Sequence, residues 1–402
     1  MRVTRLLPCL LLLAAACGDN KLAAPDASRP DAAIDAAIDA PIAPPILAGI
    51  AEARATADGT GLDLPIRNVV ITYLKPQIGS LTNDPAGFTI QAVKNGPALF
   101  VSVDPATLTP PAAVGDVVSF QINTMGTVAL QRRAQAISSY TRVSTGAGVA
   151  ALVQDISAAT DAVTMVDSYD SEIVKVTGTL FENFASSGSG FQRSAINTAG
   201  ITGDTNFQLR VPATLVDAID MVMGCQVTAA QIPMGRFNAQ AQLGVFSASD
   251  LTMTGCPAPV VTAAAALSPT SVRISFSRRI AAASVAADGS QFTFTNGITA
   301  TAASVSGRTV TITTTAQAIG TNYTVTAANT VTDLQSTPVG TPSTGTFGGF
   351  VTPAVVRINE VNANITGGCD LIELRVVSGG SMTGFKIQER NGGSGELALT
   401  FP

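Results

Sequence analysis

Three acidic residues that could act together lie in the stretch VDSYDSE: Asp167, Asp170 and Glu172. Neighbouring carboxyl groups can serve as the acid and the base in glycoside hydrolysis. Nothing in the flanking sequence places these three in a pocket, and the stretch separates two regions rich in strand-forming residues. We therefore predict a solvated loop between domains, not a catalytic pair.

A second polar cluster, towards the end of the sequence, contains Asn359, Glu360, Asp370 and Glu373. Carboxylate and amide oxygens are suitable ligands for a cation such as calcium. The same side chains can instead bond backbone groups and cap strand ends, and the sequence favours this second role. We predict neither a bound metal nor another cofactor.

The adjacent pair Arg132 and Arg133 is the best candidate for contact with nucleic acid. Proteins that bind single strands combine a positive groove with aromatic rings on which the bases stack. Further basic and aromatic residues of the same region could complete such a face: Tyr73, Lys75, Lys94 and Phe100. These aromatic residues fall at alternating positions typical of a core, so we do not expect nucleic acid as a partner.

The absence of histidine from all 402 residues narrows the chemistry open to the chain. Histidine is the usual proton shuttle near neutral pH and a common metal ligand, so Ser–His–Asp relays and His-bearing zinc sites are excluded. No nucleophile elbow, P-loop or dinucleotide fingerprint occurs either. We predict that the chain is not an enzyme. Its net charge of −5 provides no overall attraction for nucleic acid.

The first 17 residues have the layout of an export signal. Arg2 and Arg5 precede an apolar run over residues 6–16, which is too short to span a bilayer as a helix. Small residues then lead directly to Cys17, and this arrangement resembles the lipobox of bacterial lipoproteins. The resemblance implies a lipid on Cys17 and a membrane as partner; the alternative is a plain signal peptide cut near Ala16. Residues 18–46 repeat Asp, Ala and Pro, which predicts a disordered tether.

Three cysteines remain once Cys9 is assigned to the signal and Cys17 to the anchor. An exported protein meets an oxidising compartment, so we predict a disulfide between Cys225 and Cys256, at the two ends of one segment. Cys369 is then either free or paired with a residue beyond Pro402.

Residues 48–145 contain strand-like runs with alternating apolar residues, such as GFTIQAV (87–93) and DVVSFQIN (116–123). The first run and the V-G-D-x-V-x-F pattern at 114–120 resemble OB-fold-like domains of secreted bacterial proteins, which often accompany extracellular nucleases and phosphatases.

A helical patch is predicted at 148–158. Residues 146–256 then follow the order strand, strand, strand, helix, strand, strand, with the last two strands at 226–229 and 244–252. This order predicts a second OB-like domain.

Residues 258–350 contain four more alternating runs, among them SVRISF and NYTVTA. They resemble the bacterial Ig-like domains of surface-layer proteins, which implies a spacer or adhesive sandwich. Arg278 and Arg279 are predicted to form an exposed strand end. Residues 354–402, with the motifs INEV, D-x-IEL and GFKI, resemble the start of a lamin-tail domain. That domain is incomplete here, so we expect the sequence to be the front part of a longer one.

The sequence therefore predicts a mainly all-β, multidomain fold with OB-like barrels followed by Ig-like β-sandwiches. We interpret it as a non-catalytic lipoprotein, held at the outer membrane or cell surface or facing the periplasm. Its β modules would serve adhesion, scaffolding or binding of a protein or glycan. Two alternatives remain: the accessory part of a larger extracellular nuclease or phosphoesterase, and an OB-based binder of nucleic acid or glycan.

Overall fold

The computed structural model describes residues 45–80, 84–188, 190–362, 371–388 and 398–401. The lipobox cysteine Cys17, nearly all of the predicted tether, Cys369 and Asp370 lie outside these residues. Most of the regular structure is strand, which confirms the predicted all-β, multidomain fold class. No helix within the described ranges is both long and apolar enough to cross a membrane.

The first barrel is built from strands whose alternate side chains are apolar. In β4, Val118, Phe120 and Ile122 are fully buried, so these three face the barrel interior. The five strands form a closed barrel in the order β1-β2-β3-β5-β4, with β3 and β5 parallel. The strands are β1 (Gly59–Lys75), β2 (Gly87–Gln91), β3 (Ala98–Val101), β4 (Val117–Val128) and β5 (Gln131–Ser144).

The barrel is preceded by a helix, which the residue pattern did not predict. Helix α1 (Pro45–Ala55) buries Ile50 and Ala53 completely, and both belong to the barrel core. Residues three apart lie on one face of a helix, so this short apolar stripe is sufficient to attach α1 to the barrel.

The helix predicted at 148–158 is wrong. The segment forms a short 3-10 turn, Val149–Leu152, followed by strand β6 (Gln154–Asp155), which pairs in parallel with β7. The side chain of Asp155 accepts hydrogen bonds from the backbone N–H and the hydroxyl of Ser157 and pairs with Lys175. These tertiary and local bonds replace those of a helix in a segment that has only one weak apolar face.

The second barrel repeats the strand order of the first. Its strands form the ring β7-β9-β10-β12-β11, which closes because β11 pairs with both β12 and β7; β10 and β12 are parallel. The strands are β7 (Ile173–Leu180), β8 (Ala185–Ser186), β9 (Phe191–Asn197), β10 (Phe207–Pro212), β11 (Gln226–Phe237), β12 (Gln240–Gly244) and β13 (Leu251–Thr254). Two short helices accompany them, α2 (Val166–Tyr169) and α3 (Ala213–Ala218).

The strand predicted at 244–252 is also wrong. Strand β12 ends at Gly244, and a 3-10 turn, Ala248–Asp250, comes before β13. The carboxylate of Asp250 accepts hydrogen bonds from the backbone N–H groups of Phe246 and Ser247, both at 2.8 Å. An acidic side chain that binds backbone N–H groups in this way favours a turn over a continuous strand.

The predicted disulfide between Cys225 and Cys256 is present. It joins Cys225, directly before β11, to Cys256, shortly after the end of β13, with a sequence separation of 31. On the loop-entropy model such a bridge stabilises the fold by roughly 3–4 kcal/mol.

The third region is a sandwich of two antiparallel sheets. One sheet has the order β14-β15-β18-β17 and the other β16-β19-β20, and their inner faces share one apolar core. The strands are β14 (Val261–Ser268), β15 (Ser271–Phe276), β16 (Phe292–Phe294), β17 (Ala300–Ser306), β18 (Thr309–Thr314), β19 (Asn322–Ala327) and β20 (Thr344–Gly348).

The described part of residues 354–402 forms two strand pairs. Strands β21 (Val355–Asn362) and β22 (Leu371–Ser378) are antiparallel, as are β23 (Lys386–Gln388) and β24 (Ala398–Thr400). The lamin-tail resemblance stays a prediction, because these pairs alone do not distinguish it from other β structure.

Candidate anion-binding cleft

A cavity of about 470 Å³ lies between the first and second barrels. The first barrel contributes residues of β1, β2, β3 and the β4–β5 turn to its wall, and the second contributes residues of β9 to β12. This volume falls in the range of small-molecule binding sites.

The wall of the cleft is strongly basic. Five cationic side chains line it, and Asp84 is the one carboxylate among the lining residues; the cations are Lys75, Arg133, Arg193, Arg210 and Arg236. A positive cleft in a chain of net charge −5 is a local arrangement that raises the concentration of anions at one place.

Three of these cations lie over aromatic rings. The Lys75 ammonium is 5.7 Å from the centre of the Phe246 ring, the Arg133 guanidinium is 5.6 Å from that of Phe100, and the Arg210 guanidinium is 3.6 Å from that of Phe191; all three contacts are cation–π interactions. They hold the cations in place and occupy ring faces on which a planar ligand group would otherwise stack.

Asp84 lies among these cations and bonds two of them. Its carboxylate is 2.9 Å from the ammonium of Lys75 and 2.6 Å from the guanidinium of Arg210. Burial by itself would raise the pKa of Asp84, but Arg210 and Lys75 outweigh it and hold that pKa below its usual value. Burial also lowers the pKa of Lys75, against the opposing effect of Asp84. Asp84 is therefore an internal counter-ion of the cleft.

The other two arginines are paired towards solvent. Arg193 lies 3.6 Å from Glu182, and Arg236 forms an ion pair with Asp167. The side chain of Asp167 is 74% exposed and that of Arg236 only 13% exposed. Each pair is in part open to water and therefore weak, so both arginines can exchange their partners for another anion.

The basic pair singled out in the sequence is divided by the structure. Arg133 is buried and lines the cleft, whereas its neighbour Arg132 bonds Asp58 and the carbonyl of Thr56. Successive residues of a strand point to opposite sides, which explains the separation. Of the other residues proposed for this face, Lys75 and Phe100 line the cleft, Tyr73 packs against Phe246, and Lys94 is exposed and not part of the wall.

Sequence reasoning missed Arg193, Arg210 and Arg236. Each is a single basic residue inside a strand that also carries buried apolar residues. A cation among buried apolar residues needs an anionic or aromatic partner. A single basic residue inside an apolar strand is therefore the signal that could have identified these three arginines.

The prediction of a solvated loop for VDSYDSE is wrong for its second half. Asp170 and Glu172 are 1% and 2% exposed, and of the three carboxylates only Asp167 faces solvent. Gln131 of the first barrel donates a hydrogen bond to Asp170 at 2.9 Å, and Arg54 of α1 donates to the carbonyls of Asp167 and Asp170. The stretch therefore joins the two barrels, and distant partners compensate for its burial. Neither Asp170 nor Glu172 lines the cleft.

Burial changes the titration of these two carboxyl groups. It raises the pKa of Glu172 to about 7, against the opposing effect of Arg54. The pKa of Asp170 is likewise raised by burial, against Arg54, Gln131 and Ser171. One oxygen of Glu172, Oε2, is buried without a hydrogen-bond partner.

Arg278, predicted to be exposed, is in fact 1% exposed. It forms ion pairs with Asp220 of the second barrel region and with Asp333 of the sandwich, both fully buried. Its neighbour Arg279 lies beyond the end of β15 and is half-buried, with 30% of its side chain exposed, and it pairs with the exposed Asp217.

The acidic cluster near the end of the sequence is exposed where it is described. Asn359, Glu360 and Glu373 are all exposed, and Glu360 lies opposite Glu373 on the paired strands; Asp370 lies outside the described residues. Among the residues that are described, no group of three or more acidic or cysteine side chains is arranged to hold a metal.

Comparison with known protein families matches residues 252–349 to the family described as bacterial Ig-like domain. No curated protein sequence matches the chain.

Solved structures of two kinds are similar to parts of the chain. The surface-layer protein rSbsC(31-844) is 20% identical over 29% of this chain and 19% of its own, with a TM-score of 0.23. The N-terminal part of the bacterial surface-layer protein SbsC is 19% identical over 36% and 44%, with a TM-score of 0.24. A murine DNA-binding protein bound with double-stranded DNA is 10% identical over 48% and 97%, with a TM-score of 0.26.

The chain spans less than half the length of either surface-layer structure. Likenesses at TM-scores this low carry no argument about fold or function. The match to the family is independent of them and coincides with the sandwich of β14 to β20. The bacterial Ig-like domain predicted from the strand pattern is thereby confirmed.

Proposed function

We propose that this chain is a non-catalytic, exported protein of the cell envelope whose paired barrels bind a ligand in the cleft between them. The observation that carries the proposal is the cleft itself, in which five basic side chains line a cavity of small-molecule size. The lack of histidine and the position of Asp170 and Glu172 outside the cleft support binding over catalysis.

The two barrels are fixed to one another, which supports a preformed site. Tyr73 donates a hydrogen bond to Asp250 at 2.6 Å, and the backbone N–H of Asn238 donates to the carbonyl of Ala129 at 2.6 Å. On another side, the N–H of Ile173 donates to Gln91 at 3.0 Å. A site that needs little ordering on binding loses less free energy to conformational entropy.

The Ig-like domain and the N-terminal segment have supporting roles in this proposal. The buried ion pairs of Arg278 attach the Ig-like domain to the second barrel, so it acts as a spacer with a fixed orientation. Cys17 carries the lipid, and the residues between it and helix α1 tether the barrels to the membrane. The disulfide suits an oxidising compartment and supports export.

Replacing Cys17 with serine is expected to move the protein from the membrane pellet to the soluble fraction, because the acylated thiol is lost. Fractionation of cells that express the full chain, followed by immunoblotting, measures this change. The Cys9→Ser variant is the control, since Cys9 lies within the signal and should leave membrane association unchanged. Equal fractionation of Cys17→Ser and the wild type would refute the anchor.

Binding in the cleft is tested with Arg133→Gln and its matched control Arg132→Gln. Both variants remove one positive charge from adjacent positions, but only Arg133 lines the cleft. A panel of charged and neutral oligosaccharides, nucleotides and organic acids is screened by thermal shift and calorimetry. We expect at least one compound to bind the wild type and Arg132→Gln, and to bind Arg133→Gln about tenfold more weakly, the loss of one charge-assisted contact. Binding that is equal in both variants would place the site elsewhere.

A further inference from the structure

We infer that the cleft takes an oxyanionic ligand, with a phosphate or carboxylate group, and that Asp84 competes with this ligand for Lys75 and Arg210. The inference rests on the proposed function, because it names the class of ligand for the same cleft. It follows from three features of the wall: the charges, the aromatic rings and the position of Asp84.

The charges favour an anion with several oxygens. The lining contains five cations and one carboxylate. Guanidinium groups present paired N–H donors that match the oxygens of carboxylate and phosphate, and four of the five cations are arginines. Water solvates these partly buried cations poorly, so a ligand that supplies negative charge compensates for their lost hydration.

The aromatic rings argue against a nucleic-acid strand. The rings of Phe100, Phe191 and Phe246 carry cations on their faces, so their role is to position charge. Phe246 is further enclosed by Tyr73 and Phe191, at ring distances of 5.8 and 6.0 Å. Stacking platforms for bases need free ring faces along an open groove. A cavity of about 470 Å³ instead suits one compact ligand.

Asp84 occupies the position that a ligand oxyanion would take. It bonds both Lys75 and Arg210, and its side chain is only 19% exposed. Two further contacts tie the cations to the wall: Lys75 donates to the carbonyl of Pro85 at 2.7 Å, and Arg210 donates to that of Ser187 at 3.3 Å. The cations therefore keep their positions when the bond to Asp84 is exchanged for a bond to a ligand. Asp84 sets the affinity for an anion bound at Lys75 and Arg210, because that anion must displace Asp84 or share its partners.

The test titrates four probes into the full chain by calorimetry: pyrophosphate, citrate, the neutral trisaccharide maltotriose and an octathymidylate strand. Asp84→Asn removes the internal counter-ion and is expected to bind pyrophosphate or citrate roughly tenfold or more tightly than the wild type. Arg210→Gln is expected to bind them roughly tenfold more weakly. Asp288→Asn, a change of the same charge at an exposed site in the Ig-like domain, is the control and should match the wild type. Changes of opposite sign in the two cleft variants separate the proposal from general damage to the fold, which would weaken binding in both.

The two probes that are anions identify the source of the ligand, since preference for pyrophosphate or for citrate separates phosphorylated from carboxylated compounds. Binding of maltotriose alone, unchanged by Asp84→Asn, would overturn the inference and leave the proposed function intact. Tighter binding of an octathymidylate strand than of either small anion would overturn it in favour of nucleic acid. Failure of all four probes to bind the wild type and Asp84→Asn would overturn the inference, and failure of the wider panel as well would overturn the proposed function.

Discussion

The Arg278→Ala variant is expected to lose about 3–5 kcal/mol of unfolding free energy, the usual effect of removing one partner from a buried ion pair. Arg278 is almost completely buried between the second barrel and the Ig-like domain. Its guanidinium is 3.0 Å from Asp220 and 2.6 Å from Asp333, and both carboxylates have no exposed surface. Without the arginine, two charges stay in an environment that cannot solvate them.

The two carboxylates depend on Arg278 to different degrees. Asp220 also pairs with Arg308 at 2.9 Å and accepts a hydrogen bond from the N–H of Arg279. Among the described residues, Arg278 is the only cation paired with Asp333, which otherwise accepts backbone N–H bonds from Gln335 and Thr337. Most of the expected loss therefore comes from Asp333.

Denaturant unfolding of the full chain at neutral pH measures the effect. The control is Arg279→Ala, which removes the same side chain one residue later, where the partner Asp217 is exposed; a loss below about 1 kcal/mol is expected there. Equal stability of the two variants would show that the buried ion pairs of Arg278 contribute no more than a surface ion pair.

The Glu172→Gln variant is expected to be more stable than the wild type at pH 8 by up to roughly 3 kcal/mol. This figure follows from the rise of the pKa from 4.5 to about 7 on folding. The folded protein favours the neutral carboxyl, because burial penalises its charged form. Glutamine has nearly the same shape and carries no charge at any pH.

The sign of the pH dependence follows from proton binding. Between pH 4.5 and about 7 the folded state binds more protons at Glu172 than the unfolded state does, so the stability of the wild type falls as the pH rises. Asp170, whose pKa is also raised, acts in the same direction, and Arg54 opposes both. Below pH 4.5 the carboxyl is neutral in both states, and the advantage of glutamine disappears.

Urea unfolding at pH 5, 6, 7 and 8 measures this dependence. The difference between Glu172→Gln and the wild type should grow with pH over this range. Glu52→Gln is the control at an exposed position of α1 and should change stability by less than about 0.5 kcal/mol at every pH. Equal unfolding free energies of Glu172→Gln and the wild type at pH 8 would contradict the predicted cost of burying the charged carboxylate.

Local patterns were sufficient for many of the strands and for the faces that they bury. The alternation of Val118, Phe120 and Ile122 predicted a strand with one buried face, and these residues are buried in β4. The disulfide between Cys225 and Cys256 and the Ig-like sandwich could also be predicted, because both depend on residue types at short or regular spacing. Helix α1 and the turn before β13 could not, since each depends on a few specific contacts and carries little periodic signal.

Residue types and their spacing predict the fold class, many of the strands and the lack of histidine chemistry. Which polar residues are buried follows only from the three-dimensional fold. Arg278 meets Asp220 across 58 positions, and Arg54 meets the carbonyl of Asp170 across 116. In the cleft, Asp84 meets Arg210 across 126 positions. The burial of a charged side chain depends on a partner that compensates for lost hydration, and no local pattern reveals a partner that distant in the chain.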